Sequence, residues 1–194
     1  GAANAALFRY DAAVECYKES IKIKPNYTDA YYNMGKALQD QGDVDAALEI
    51  YDKAIKINPN YADAYNNIGT IFYKKDEFDQ AISYISSALK INPNDADAYT
   101  NMGNALRDKG DLDAAIDSYK QAIKIKPDYA EAYYNMGNAL KDKGELDAAI
   151  DIYKQAIKIK PDYAEAYNNM GNALKEKGEL DAAIDSYKKA IKIK

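Results

Sequence analysis

Five prolines stand at Pro25, Pro59, Pro93, Pro127 and Pro161, and every interval between them is 34 residues. Glycines keep the same period at Gly35, Gly69, Gly103, Gly137 and Gly171, with Gly1 one period earlier. A fixed period of this length means stacked supersecondary units, because each unit is too small to bury its own apolar faces and must lean on its neighbours. With Thr28, Ala62, Ala96, Ala130 and Ala164 as position 1, units span 28–61, 62–95, 96–129 and 130–163. A shortened unit follows at 164–194, and 1–27 is the tail of another. The expected organisation is one array over 1–194. The third and fourth units differ only at Asp97/Glu131, Thr100/Tyr134, Arg107/Lys141, Asp111/Glu145 and Ser118/Ile152, which reads as recent duplication or design.

Within a unit the hydrophobic period is helical, twice. Tyr133, Met136, Gly137 and Leu140 fall at i, i+3, i+4 and i+7; Leu146, Ala149, Ile150, Tyr153, Ala156 and Ile157 form a second stripe. Gly144 separates the two where a left-handed residue would end the first helix. Acids flank the helix starts and lysines crowd the ends (Lys154, Lys158, Lys160), as the helix macrodipole favours. The pairs Asn26/Asp29, Asn60/Asp63, Asn94/Asp97, Asp128/Glu131 and Asp162/Glu165 have capping-box spacing. Nothing alternates with period 2. The reading is all-α, with helices near 10–24, 28–41, 44–58, 62–75, 78–92, 96–109, 112–126, 130–143, 146–160, 164–177 and 180–194. Gly at position 8 and Ala at position 20 allow close helix approach, with the position-4 tyrosines (Tyr31, Tyr65, Tyr99, Tyr133, Tyr167) expected to fill the space beside them. In the second unit Asp76 replaces the turn glycine and Ile85 replaces a tyrosine; Asp tolerates left-handed geometry, so the turn should survive.

The 34-residue period with Tyr133-x-x-Met136-Gly137-x-x-Leu140, Ala149-x-x-x-Tyr153 and Pro161 resembles the tetratricopeptide repeat (TPR), over the whole chain. The resemblance implies a right-handed superhelical solenoid of antiparallel helix pairs, whose first helices line a concave groove for extended peptides. Positions 6 and 9 of each first helix then face that groove. They carry Asn33, Asn67, Asn101, Asn135 and Asn169, and Lys36, Thr70, Asn104, Asn138 and Asn172. An asparagine offers both donor and acceptor, so such a ladder can pair with a peptide backbone without reading its side chains. The groove resembles the TPR region of O-GlcNAc transferase in this respect. The bland alternative is a merely solvated polar face. Tyr32 and Tyr134 at position 5 are either contact anchors on its flank or packing residues, with packing favoured.

The function classes narrow by subtraction. The chain has no His, which removes Ser–His and Cys–His pairs and imidazole ligands. Its single cysteine, Cys16, cannot form an intrachain disulfide, so an oxidising compartment is not required and the cytoplasm is favoured. A net charge of −5 argues against nucleic acid and anionic membranes, and the Lys-x-Lys pairs at helix ends fit the dipole better than a nucleic acid. Asp111, Asp113 and Asp117 lack the rest of a calcium loop, and the glycines do not form a phosphate loop. No catalytic residue, metal or cofactor is expected. Position 2 is always acidic (Asp29, Asp63, Asp97, Glu131, Glu165), the wrong charge to grip a C-terminal carboxylate.

The leading reading is a protein–protein interaction module that binds an extended peptide or partner segment. The alternatives are a self-associating scaffold or engineered array without a dedicated ligand, and a targeting arm of a larger enzyme such as a glycosyltransferase. Uncovered apolar residues are expected at both ends, Val14, Tyr17 and Ile21 at one and Ile184, Tyr187 and Ile191 at the other. They predict end-to-end self-association.

Overall fold

The computed structural model of the chain describes the backbone of residues 2–193 and the side chains of residues 9–193. The described residues form helices joined by short turns, with no strand among them. In chain order they are α1 (Ala2–Ile23), α2 (Thr28–Gln41), α3 (Val44–Ile57), α4 (Ala62–Lys74), α5 (Phe78–Ile91) and α6 (Ala96–Lys109). Then come α7 (Leu112–Ile125), α8 (Ala130–Asp142), α9 (Leu146–Ile159), α10 (Ala164–Glu176) and α11 (Leu180–Ile193). The expected spans are met to within a residue from α2 onward. Gly1 and Lys194, which the repeat register also uses, lie outside the described residues.

The first helix departs from expectation. The register calls for a turn near Phe8 and Arg9, yet α1 runs unbroken from Ala2 to Ile23. Phe8 stands where other units carry glycine, and without a residue suited to positive φ nothing stops the helix. Elsewhere the turn is uniform. Gly42, Gly110, Gly144 and Gly178 have φ of 94°, 96°, 84° and 85°, and Asp76 holds the same place at 59°. Each turn carries the paired hydrogen bonds of a Schellman motif, such as Gly144 N–H to the Lys141 carbonyl and Glu145 N–H to that of Leu140. The Asp76 turn makes them to Tyr73 and Phe72.

The capping expectation is off by one residue. The N-caps are Tyr27, Tyr61, Asp95, Tyr129 and Tyr163, and of these only Asp95 caps with its side chain, accepting from Ala98 N–H at 2.9 Å. Tyr27, Tyr129 and Tyr163 instead turn their rings under lysines, with Lys126 Nζ 4.5 Å from the Tyr129 ring centre and Lys160 Nζ 4.6 Å from that of Tyr163.

The chain divides into two compact units, Gly1–Pro93 and Asn94–Lys194. In the first, Val14, Met34, Leu38, Ile50, Tyr51, Ile68 and Ile71 form the core; Tyr17 and Ile21 pack on it. Val14 is buried, so the apolar face expected to be uncovered near the start is closed at that residue. In the second, Ile116, Tyr119, Met136, Leu140, Ile150, Tyr153 and Leu174 form the core. On α11 the apolar residues Leu180, Ile184 and Ile191 stay exposed, as expected for the last two.

The position-4 tyrosines do not fill the space beside the helix glycines. Their rings are half-buried, and position 24 takes the space. Tyr51, Tyr119 and Tyr153 are fully buried and lie across Gly35, Gly103 and Gly137, Tyr187 does the same at Gly171, and Ile85 at Gly69. A Cβ on Gly137 would sit 2.6 Å from a Tyr153 ring carbon. Glycine at position 8 is therefore required by the ring beside it, whereas glycine at the turn is required by its φ.

Candidate functional site: the first-helix face

The same position-24 tyrosines reach past the glycine to the polar face of their partner helix. Tyr119 OH donates to Asn104 Oδ1 at 2.7 Å, Tyr153 OH to Asn138 Oδ1 at 2.8 Å and Tyr187 OH to Asn172 Oδ1 at 2.9 Å. In the first unit Tyr51 OH donates to Gln39 Oε1 at 3.0 Å. One recurring link thus joins a core ring to a position-9 asparagine 15 residues upstream. Sequence reasoning placed these tyrosines in the core and missed the link; the fixed Asn–Tyr interval in three consecutive units was the legible signal.

The position-6 asparagines extend the network between repeats. Asn169 Nδ2 donates to Tyr134 OH at 3.0 Å and to Asn138 Oδ1 at 2.9 Å. Asn67 Nδ2 does the same toward Tyr51 OH at 3.1 Å and Tyr32 OH at 3.4 Å. Asn135 is buried, and Asn33 and Asn101 are half-buried. These side chains are thus partly covered, which the alternative of a merely solvated face did not provide for. A first helix is flanked by other first helices as well as its own second helix, so the side opposite the core stripe is partly covered.

Position 9 is the more open row. Asn104, Asn138 and Asn172 are half-buried, and the bonds above engage each through its oxygen and not through its amide NH2. Thr70 spends its hydroxyl proton on the Asn67 carbonyl at 2.8 Å, and Lys36 is exposed, 6.0 Å from the Tyr32 ring centre.

Tyr32 and Tyr134 pack, as favoured from the sequence. The Tyr32 ring centre lies 5.1 Å from that of Tyr61 and 6.0 Å from that of Tyr51; Tyr134 lies 5.0 Å from Tyr163 and 6.2 Å from Tyr153. The position-2 acids serve these clusters. Tyr61 OH donates to Asp29 Oδ1 at 2.9 Å, and the Asp97 carboxylate holds the Tyr129 hydroxyl. Burial raises the Tyr51 and Tyr153 phenols well above their ordinary range. Burial, then the Asp29 or Asp97 carboxylate, does the same to Tyr61 and Tyr129. Burial, with Glu131 nearby, pushes Tyr163 up to about 12. All remain neutral hydrogen-bonding groups at physiological pH.

The opposite side carries links that sequence reasoning did not foresee. Lys143 Nζ bridges Asp113 of the preceding repeat and Glu145 at 2.7 Å each, Lys177 repeats this with Asp147 and Glu179, and Lys75 reaches Asp45 at 2.9 Å. Gln41 makes the same step to Asp11. These exposed pairs orient neighbouring helices more than they stabilise them. Among the described residues no cluster of His, Cys, Asp or Glu is placed to hold a metal, and no helix is long and apolar enough to cross a membrane. Cys16 is exposed.

Models of the TPR repeat match residues 9–42, 38–76, 103–144 and 137–178, and further tetratricopeptide-repeat models match 62–95, 164–194 and 84–117. No curated protein matches the chain. Among solved structures, the crystal structure of MamA is 32% identical, covering 82% of this chain and 94% of that one with a TM-score of 0.77. A MamA from Desulfovibrio magneticus RS-1 is 19% identical over 86% of this chain and 94% of that one, TM-score 0.79. YrrB, described as a TPR protein with an unusual peptide-binding site, is 24% identical over 93% of each chain, TM-score 0.77.

Proposed function

Because the chain belongs to the tetratricopeptide-repeat family, whose members mediate protein–protein interaction, we propose that it holds an extended partner segment on the first-helix face of α6, α8 and α10. The observation that carries this is the state of Asn104, Asn138 and Asn172. A position-24 tyrosine, buried at Tyr119 and Tyr153 and half-buried at Tyr187, occupies each amide oxygen, so each side chain is held in one orientation with its NH2 left for a partner. Three donors at repeat spacing suit the carbonyl oxygens of an extended backbone, and holding them in place beforehand lowers the entropy lost on binding. Of the position-6 asparagines, Asn169 braces this row by donating to Asn138 Oδ1. The absence of His supports an interaction module over an enzyme.

The test uses peptides selected from a random display library against the chain. Changing Asn104, Asn138 and Asn172 together to Asp keeps the oxygen that each tyrosine needs, removes the amide donors and places a negative charge at each position. Affinity should fall by about tenfold or more, since each lost bond to an unpaired carbonyl costs about 0.5–1.5 kcal/mol, while helicity and melting stay close to the parent. Unchanged affinity in the triple variant refutes the proposal.

A further inference from the structure

On the side opposite the first-helix face, α7 and α9 both pack on α8 and leave a furrow of about 620 Å³ between them. Its floor is the outer side of the core residues Ile116, Met136 and Leu140, and Ile152 stands on its rim. Along α7 it runs from Asp113 to Lys120, which is about 10 Å at the helical rise. Ile152 makes this furrow more apolar than the repeat pattern requires. The third repeat has Ser118 at that position and the fifth has Ser186, and each serine donates to the carbonyl four residues back, Ala114 or Ala182, at 2.9 Å. The isoleucine puts a half-buried apolar side chain there instead. The rim around it is acidic. Asp113, Asp117, Glu145 and Asp151 line the furrow against two ammonium groups, and both of those are taken. Lys143 is held by Asp113 and Glu145 at 2.7 Å each, and Lys120 by Asp117 at 3.1 Å. Asp151 pairs at 2.9 Å with Lys154, which does not line this furrow, and its carboxylate is 73% exposed.

We infer that this furrow docks a basic amphipathic helix of a partner protein, with its apolar stripe on Ile116, Met136 and Ile152 and its lysines or arginines on Asp117 and Asp151. The surface is separate from the first-helix face, and the inference does not rest on the reading given for that face. A helix suits the furrow for two reasons. The length matches about two turns, over which a helix presents apolar residues at i, i+3, i+4 and i+7 to a groove. The backbone groups of α7 and α9 are spent within their own helices, so the occupant has to satisfy its own backbone hydrogen bonds, as a helix does and an extended strand does not. The acid excess selects the sign of the partner. A cationic flank finds carboxylates on both rims, while an acidic flank meets like charge. The counterpart furrow between α9 and α11 has Ser186 in place of Ile152 and adds Lys189, so it is less apolar and less acidic. The furrow between α7 and α9 is the preferred one.

The experiment titrates the isotope-labelled chain with the capped peptide Lys-Leu-Ala-Lys-Leu-Leu-Lys-Ala-Leu-Lys-Lys-Leu-Leu-Lys and follows the methyl resonances of Ile116, Met136 and Ile152. Saturable shifts at these residues are expected, weakened about tenfold or more when glutamate replaces every lysine of the peptide. Ile152→Ser installs the residue that the third and fifth repeats already carry, so the fold is kept, and it should weaken binding by about fivefold through lost apolar contact. Asp117→Asn with Asp151→Asn should weaken it by about threefold, because exposed ion pairs contribute little each. Equal affinity of the parent and Ile152→Ser chains, or of the lysine and glutamate peptides, overturns the inference. So do shifts that do not saturate or that spread evenly over the acidic surface. Shifts confined to Asn104, Asn138 and Asn172 would place the helix on the other face and overturn it too, while leaving the reading of that face intact. Shifts that grow with protein concentration and no peptide would put a second copy in the furrow and overturn it as well. Saturable furrow shifts that weaken in Ile152→Ser support it even where the first-helix face binds nothing.

Discussion

Gly137→Ala tests the claim that position 8 must be glycine because of the ring that crosses it. The added methyl would meet Tyr153 ring carbons at 2.6, 2.7 and 3.1 Å, where ordinary contact begins near 3.4 Å. One side or the other must move by most of an ångström. The ring has little freedom to yield: it is fully buried, its hydroxyl is tied to Asn138 at 2.8 Å, and Tyr134 backs it. Overpacking of this kind costs about 1–3 kcal/mol, while replacing a mid-helix glycine by alanine returns about 0.5–1 kcal/mol. The net loss should be about 1–2 kcal/mol, or roughly 2–8 °C in melting temperature for a chain of this size. Thermal and urea melts read the total, and amide exchange in α8 and α9 shows whether the loss is local. In a Tyr153→Ala background the ring that the methyl meets is gone, so the same Gly137→Ala change should stabilise by about 0.5–1 kcal/mol. A Gly137→Ala chain as stable as its parent, or a loss of equal size in both backgrounds, would refute the reasoning.

Two further outcomes follow from local geometry. Asp76→Gly should raise stability by about 0.5–1 kcal/mol in a urea melt, because Asp76 holds φ of 59° where glycine carries no Cβ penalty. Alkali should destabilise the fold. Phenols raised in the native state keep their protons longer than in the unfolded chain, so stability is complete below about pH 10 and falls as pH rises toward and past the Tyr163 value of about 12. Tyrosinate absorbance and circular dichroism should change together above pH 10; early, independent ionisation of all the tyrosines would contradict the buried network.

The period, the helix pairs, the Schellman turns and the Asp76 exception were all legible in the residues, because each is a local matter. Prolines and glycines punctuate, apolar residues repeat with helical spacing, and a left-handed turn needs glycine or a short polar side chain. The missing turn in α1 belongs to the same class, since Phe8 was on view in the register. What the residues did not disclose is which tyrosine does what. Position 4 and position 24 look alike as apolar members of a stripe, and only the crossing of two helices decides that Tyr153 covers Gly137 while Tyr133 lies aside. The same holds for the asparagines. Asn169 and Asn172 differ in no intrinsic property, yet one spans to Tyr134 and Asn138 of the preceding repeat and the other receives the Tyr187 hydroxyl of its own repeat. Secondary structure comes from interactions a few residues apart, which sequence periodicity records directly. The partner of a side chain depends on helices brought together from 15 to 35 residues away, and that selection is made by packing.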